Sequence, residues 1–212
     1  MIPVNDLLID GCHRRLNYLR ISITDRCNLN CLYCNPRIKT RKLLHKNILR
    51  YEEILRIVRI GIRLGINKVR VTGGEPLVRK GCCDFLDKLG RIDGIADISL
   101  TTNGVLLKPH IERIMAAGIR RLNISIDTLD RHKYAQITGY DGFHRVWEGI
   151  ILALEKGFHP VKINCVAMRG VNDDELVALA ELSLKYPLHI RFIELMPIGE
   201  AHAPVSAPLL IP

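Results

Sequence analysis

The stretch "NYLRISITDRCNLNCLYCNP", residues Asn17–Pro36, runs from an alternating segment straight into a cysteine-rich loop. Over its first eight residues Leu19, Ile21 and Ile23 take one parity and Arg20, Ser22 and Thr24 the other, the period-two pattern of a strand with one apolar and one polar face. The loop that follows carries Cys27, Cys31 and Cys34 in a Cys-x3-Cys-x2-Cys spacing. Five further runs read as strands: KVRVT (68–72), ADISLTT (96–102), RRLNISID (120–127), VKINCVAM (161–168) and HIRFIEL (189–195).

Between these runs lie helix-length amphipathic segments at 51–65, 79–92, 108–118, 142–157 and 173–186, and Gly65, Gly118 and Gly157 stand where helix C-terminal glycines belong. Strict alternation predicts parallel strands with helices outside, in an open sheet or a full or partial barrel. Parallel strands covered on both faces read as continuous apolar runs. Here a polar parity persists through Arg70 and Thr72, Ser99 and Thr101, Asn123, Ser125 and Asp127, Lys162 and Asn164, and Arg191. A closed eight-stranded barrel fills its lumen with packed side chains. The pattern therefore predicts an α/β fold, a partial (β/α)6 barrel over residues 1–200 whose concave face holds a large polar ligand. The Pro/Ala-rich end, 201–212, reads as an irregular tail.

A chain of 212 residues with 48% hydrophobic and 25% charged residues can bury a sizeable core as one domain. The start, MIPVNDLLIDGCHRR, has too short an apolar stretch for a signal peptide, and no later run is long enough to span a bilayer. The expected location is a reducing compartment, the cytoplasm, or the mitochondrial matrix in a eukaryote, with no membrane partner. Seven cysteines, an odd number with three in one loop, point to metal chemistry rather than disulfides. The net charge of +9 fits a solvated surface or a nucleic-acid partner until the basic residues are placed on the strands.

A 4Fe–4S cluster has four iron corners, so three thiolates leave one iron open to a small molecule. The loop follows the first strand directly, which puts such a cluster at the C-terminal mouth of the barrel. The alternatives are incidental thiols or a zinc site completed by a distant residue such as His45; zinc is disfavoured because its sites prefer paired Cys-x2-Cys units and four ligands. Cys82, Cys83 and Cys165 read as core or surface residues, Cys12 lacks a neighbour, and His45, His110, His132 and His144 read as solvated. No Gly-x-Ser-x-Gly elbow is present, and the glycines around Gly139 form no phosphate loop.

Cys27, Cys31, Tyr33 and Cys34 match the Cys-x3-Cys-x-aromatic-x-Cys loop of the radical S-adenosylmethionine (radical SAM) enzymes, which this sequence resembles. The resemblance implies a partial barrel of the radical SAM type, one 4Fe–4S cluster on those three cysteines, and S-adenosylmethionine bound at the open iron and cleaved by an electron from the cluster. It also implies that TGGEP, Thr72–Pro76, contacts the methionine amino group. Within the superfamily, "LRISITDRCN", "VRVTGGEPLVR", "TTNG", "LNISIDTL", "VKINCVAMRGVND" and "RFIELMPIGE" are similar to the GTP 3′,8-cyclase family, lyases that start molybdenum cofactor (molybdopterin) biosynthesis. That likeness runs nearly to Glu200. It implies S-adenosylmethionine contacts at Tyr33, Gly74, Ser125 and Met196, and GTP contacts, largely through the triphosphate, at Arg20, Arg70, Thr101, Lys162 and Arg191. The partners it implies are GTP and a reducing electron donor, with a homodimer open as an assembly and no nucleic acid; no catalytic side chain is assigned.

The chain departs from the family in two places. Cys34, Asn35 and Pro36 replace the usual Cys-Met-Pro, with no ligand lost. Family members also carry a second cluster on later cysteines, whereas this chain has none after Cys165. The resemblance therefore implies a chain cut short of that region, with slow, uncoupled cleavage of S-adenosylmethionine. The alternatives are a radical SAM enzyme acting on a peptide or RNA, and a non-catalytic fragment that binds its cluster.

Overall fold

The structure, a computed structural model, describes residues 7–34 and 42–195. Its strands are β1 (Tyr18–Ser22), β2 (Lys68–Thr72), β3 (Asp97–Thr102), β4 (Arg121–Ser125), β5 (Val161–Ala167) and β6 (Leu188–Glu194). The helices are α1 (Tyr51–Arg63), α2 (Cys82–Gly90), α3 (Leu107–Ala116), α4 (Arg131–Thr138), α5 (Phe143–Glu155) and α6 (Leu176–Lys185). All strand pairs are parallel, the order in the sheet is the order in sequence, and β1 and β6 do not pair with each other. This is the open (β/α)6 barrel that the alternation predicts. The expected tail at 201–212 lies outside the described residues. No helix among them is long and apolar enough to cross a membrane.

The apolar parity of the strands faces the helices. Val71, Leu100, Leu122, Ile124 and Ile163 are fully buried against a layer that includes Leu86, Leu89, Ile114, Val146 and Ile150. Burying one such side chain stabilises the fold by about 1.5–3 kcal/mol, so this parity is fixed to the helix side and the polar parity to the lumen. The register stacks the lumen residues in rows: Arg20 beside Arg70, Ser99 and Arg121, then Thr101 beside Asn123 and Lys162, then Ser125 beside Asn164 and Arg191.

Local signals set the helix ends. The Arg50 backbone N–H donates to Glu53 Oε2 at 2.7 Å at the start of α1, while Glu52 and Glu53 in its first turn and Arg63 in its last complement the helix dipole. Gly65, Gly118 and Gly157 take the positive φ expected after helix ends, 93°, 81° and 76°. Two differences from the sequence reading stand out. The helix expected at 79–92 starts only at Cys82, because Pro76–Val78 forms a short 3-10 turn and Gly81 sits at φ 77°. Helix α4 is not among the predicted elements: it has only eight residues and little apolar periodicity, although Asp130 caps it through the Lys133 N–H at 2.8 Å and Gly139 closes it at φ 70°.

Candidate functional site

The cysteine loop leaves β1 at the C-terminal mouth of the barrel and is held from both sides by backbone. On one side the Gly74 N–H donates to the Thr24 carbonyl at 2.6 Å and the Glu75 N–H to the Arg26 carbonyl at 2.8 Å. A Cβ on Gly74 would collide with the Arg26 carbonyl, so the loop's own close approach demands glycine at this position. On the other side the Asn30 and Leu32 N–H groups donate to the Thr138 and Ile137 carbonyls, each at 2.9 Å. Those are carbonyls at the end of α4, groups with no partner inside the helix. The helix that the sequence reading lacks is thus one of the two supports of the loop.

Two buried carboxylates tie the loop to the strand ends. Glu75, fully buried, accepts from the Leu77 N–H at 3.0 Å, from Thr102 Oγ1 at 2.8 Å and from the Asn103 N–H at 2.6 Å. Burial raises its pKa while these donors oppose the rise. Asp127, at the end of β4, accepts from the Tyr33 hydroxyl and the Val166 N–H, both at 2.8 Å. Fully buried Asn172 donates to the Asp127 and Val166 carbonyls at 2.7 and 2.9 Å and so clasps the ends of β4 and β5.

Burial raises Asp127 from 3.8 to about 6, against the pull of its two donors. A carboxyl raised in the folded state contributes stability that is fully present below its unfolded pKa and lost as pH rises through the folded one. At about 1.4 kcal/mol for each tenfold change, the contribution lost between roughly pH 4 and 7 is at most about 3 kcal/mol. Asp127→Asn, which keeps the shape and removes the charge, should therefore gain stability over the wild type at pH 7–8, with the gap closing toward pH 4. Urea titrations of both chains across that range check this; a gap independent of pH contradicts it.

The three thiols of the loop are all unpaired, Cys27 and Cys34 exposed and Cys31 half-buried. Burial pushes the Cys31 thiol up to about 12, with Asp127 and the other two cysteines adding to the rise, and burial likewise raises Cys27. Cys27 and Cys31 in a setting hostile to thiolate charge suit a cationic metal core that would supply the missing compensation. Among the described residues no group of three His, Cys, Asp or Glu converges as ligands of a single metal ion would. The thiolates of a cluster each bind a separate iron and need not converge on one point.

Below the mouth the lumen is lined by cations. Lys68, Arg70, Arg121 and Lys162, with Asp97, Ser99, Asn123 and Tyr18, surround a cavity of about 110 Å³ at the N-terminal ends of the strands. Arg121 pairs with Asp97 at 3.4 Å, Arg70 donates to Ser99 Oγ at 3.4 Å and lies over the Tyr18 ring, and Arg191 donates to Asn123 Oδ1 at 2.5 Å. Burial, then Arg191, Arg121 and Arg70, lower the pKa of Lys162; burial and Arg70 lower that of Arg191. Thr101 Oγ1, Asn164 Oδ1 and Arg191 Nε are buried without a hydrogen-bond partner among the described residues. Repelling cations and unsatisfied donors and acceptors together fit a polyanionic, hydrogen-bonding ligand. A larger cavity, about 580 Å³, lies outside the barrel between α1 and α2 and touches none of these residues.

Of the residues singled out from the sequence, Arg20, Arg70, Thr101, Ser125, Lys162 and Arg191 share the lumen parity, and Cys27, Cys31, Tyr33, Cys34 and Gly74 gather at its mouth. Met196 lies outside the described residues. Lys68 and Arg121 also line the lumen, and extending the same parity by one strand position reaches both. His110, expected to be solvated, is half-buried, its Nδ1 3.6 Å from Cys83 Sγ.

The sequence pattern of the radical SAM superfamily matches residues 21–183. The chain is 52% identical over 192 residues to a GTP 3′,8-cyclase of Pelotomaculum thermopropionicum, covering 91% of this chain and 59% of that protein. It is likewise 52% identical to the GTP 3′,8-cyclase of Thermodesulfovibrio yellowstonii, covering 90% of this chain and 60% of that one. The chain thus spans about 60% of the length of the curated relatives it matches. Among solved structures, methylornithine synthase superposes with a TM-score of 0.65 at 16% identity, over 85% of this chain and 53% of the other, a likeness of fold.

Proposed function

The chain belongs to the radical SAM superfamily, and from that premise we propose that it is the barrel of a GTP 3′,8-cyclase, a lyase that converts GTP to a cyclised nucleotide in the first step of molybdenum cofactor biosynthesis. Cys27, Cys31 and Cys34 hold a 4Fe–4S cluster. Tyr33, Gly74, Ser125 and Met196 hold S-adenosylmethionine beside it. When bound, the cluster and S-adenosylmethionine supply reductive cleavage of a sulfonium and a carbon radical that can take a hydrogen atom. Arg20, Arg70, Thr101, Lys162 and Arg191 bind GTP, the cations neutralising the triphosphate deep in the lumen so that the nucleoside is directed toward the cysteine loop. The enzyme works in the cytoplasm with a reducing electron donor.

The observation that carries this reading is the lumen itself, with a run of mutually repelling cations and orphaned polar atoms leading up to the mouth that bears the three cysteines. Orientation matters because holding reacting groups in place contributes about 7–11 kcal/mol toward a barrier, and a shift of about 1 Å forfeits much of it. The test is an anaerobic assay of the reconstituted chain with dithionite, quantifying 5′-deoxyadenosine and cyclised nucleotide side by side, with and without GTP. Slow cleavage of S-adenosylmethionine that responds to GTP, uncoupled from cyclisation and with little or no cyclised nucleotide, is the expected result. Cluster-loaded protein that cleaves nothing, or whose cleavage responds to a peptide or RNA and not to GTP, overturns it.

A further inference from the structure

Asn103, just past β3, sits under the cysteine loop with its backbone N–H and both side-chain polar atoms engaged. Its backbone N–H donates to Glu75 Oε2 at 2.6 Å, and its side-chain Oδ1 accepts from the Val105 N–H at 3.1 Å. Its Nδ2 donates to Asn28 Oδ1 at 2.8 Å and lies 3.6 Å from Cys27 Sγ. The Val105 N–H needs an acceptor, so it fixes which end of the amide is oxygen; a flipped amide would set donor against donor there and lose the bond to Asn28. The residue is 9% exposed, and Glu75, whose carboxylate positions its backbone, is fully buried. An N–H is therefore aimed at a cysteine sulfur by a rigid set of contacts. The Leu29 backbone N–H reaches the same sulfur at 3.4 Å.

We propose that the Asn103 amide donates a hydrogen bond to the Cys27 sulfur and thereby raises the reduction potential of the cluster held there. The inference rests on the reading of Cys27 as a cluster ligand. Reduction by one electron adds negative charge that is shared by the ligand sulfurs, and a donor pointed at such a sulfur stabilises the reduced form more than the oxidised one. Glu75 is the anchor of this device. Its carboxylate gathers the TGGEP turn, Thr102 and the Asn103 backbone into one unit, so a change in that turn is transmitted to the donor.

Two variants separate tuning from mere support of the loop. In Asn103→Ser the hydroxyl can still accept from the Val105 N–H, as serine does in turns, but is too short to reach Cys27. Asn103→Asp keeps the shape and the acceptor while replacing the donor with a negative charge. The readouts are iron per chain and the midpoint potential from a redox titration followed by electron paramagnetic resonance. Both variants are expected to keep the wild-type iron content. Asn103→Ser should shift the reduction equilibrium about tenfold toward the oxidised cluster, which is about 59 mV for one electron, and Asn103→Asp further in the same direction. Unchanged potentials in both loaded variants overturn the proposal. Loss of iron from both also overturns it, by showing that Asn103 holds the loop rather than tuning the cluster. A wild-type chain that takes up no cluster sinks the ligand reading and this inference together, whereas a loaded wild type with unshifted variants sinks only the inference.

Discussion

Replacing Cys27, Cys31 or Cys34 by alanine, one at a time, is expected to abolish cluster binding after anaerobic reconstitution, where the unaltered chain takes up about four irons, the content of a single 4Fe–4S centre. In such a cluster each thiolate binds a different iron, so none would stand in for another. The loop is also braced by backbone, through the Thr24 and Arg26 carbonyls on one side and the Ile137 and Thr138 carbonyls on the other, so the substitutions should remove the ligand without unfolding the support. Cys165→Ala is the matched control. That thiol is fully buried in β5, lies 3.6 Å from the Asp127 carbonyl and is pushed up to about 12 by burial, the setting of an inert core cysteine. Iron and sulfide analysis with visible absorption reads the result. Tightly bound zinc in the unaltered chain, or iron retained by any of the three loop variants, contradicts it.

The second large effect belongs to the lumen. Arg70→Ala and Lys162→Ala should each weaken GTP binding by roughly tenfold or more, because losing a charged hydrogen-bond partner costs about 1.5–3 kcal/mol and about 1.4 kcal/mol is tenfold in affinity. Burial first, and then repulsion from Arg191, Arg121 and Arg70 that Asp97 offsets in part, lower the Lys162 pKa, so an arriving triphosphate supplies charge that these side chains lack. Arg113→Ala, which breaks an exposed ion pair with Asp84 on the helix layer, should leave GTP affinity unchanged. Calorimetric titration of the three variants at fixed salt provides the comparison. Equal affinity in wild type and both lumen variants refutes the assignment of the triphosphate to this surface.

Much of this was legible from residue parity. Leu19, Ile21, Val69 and Val71 against Arg20, Ser22, Arg70 and Thr72 already separate a helix-facing side from a lumen side, and the register then brings the polar set into rows. The cysteine loop was legible because its chemistry depends on local spacing. What escaped depends on contacts between segments far apart in sequence. Nothing in RHKYAQIT announces that the end of α4 would accept hydrogen bonds from a loop more than a hundred residues earlier. Glu75 reads as one letter of a glycine-rich turn until Thr102 and Asn103 fold onto it. Asp127 was read as one more lumen residue; its parity does not announce the burial that raises its pKa against the Tyr33 hydroxyl and Val166 N–H, donors that come from distant segments.

Among the described residues no strand pairs with the outer edges of β1 and β6, which bears on how the chain behaves in concentrated solution. A parallel sheet that stops short of closure leaves two rows of backbone donors and acceptors able to accept another strand. On β6 the adjacent Phe192 and Ile193 are 43% and 38% exposed, with Arg191 and Glu194 on either side of them as the charges that blunt the edge. Self-association of the 212-residue chain should then grow with protein concentration and resist added salt, the reverse of the behaviour expected from its basic lumen.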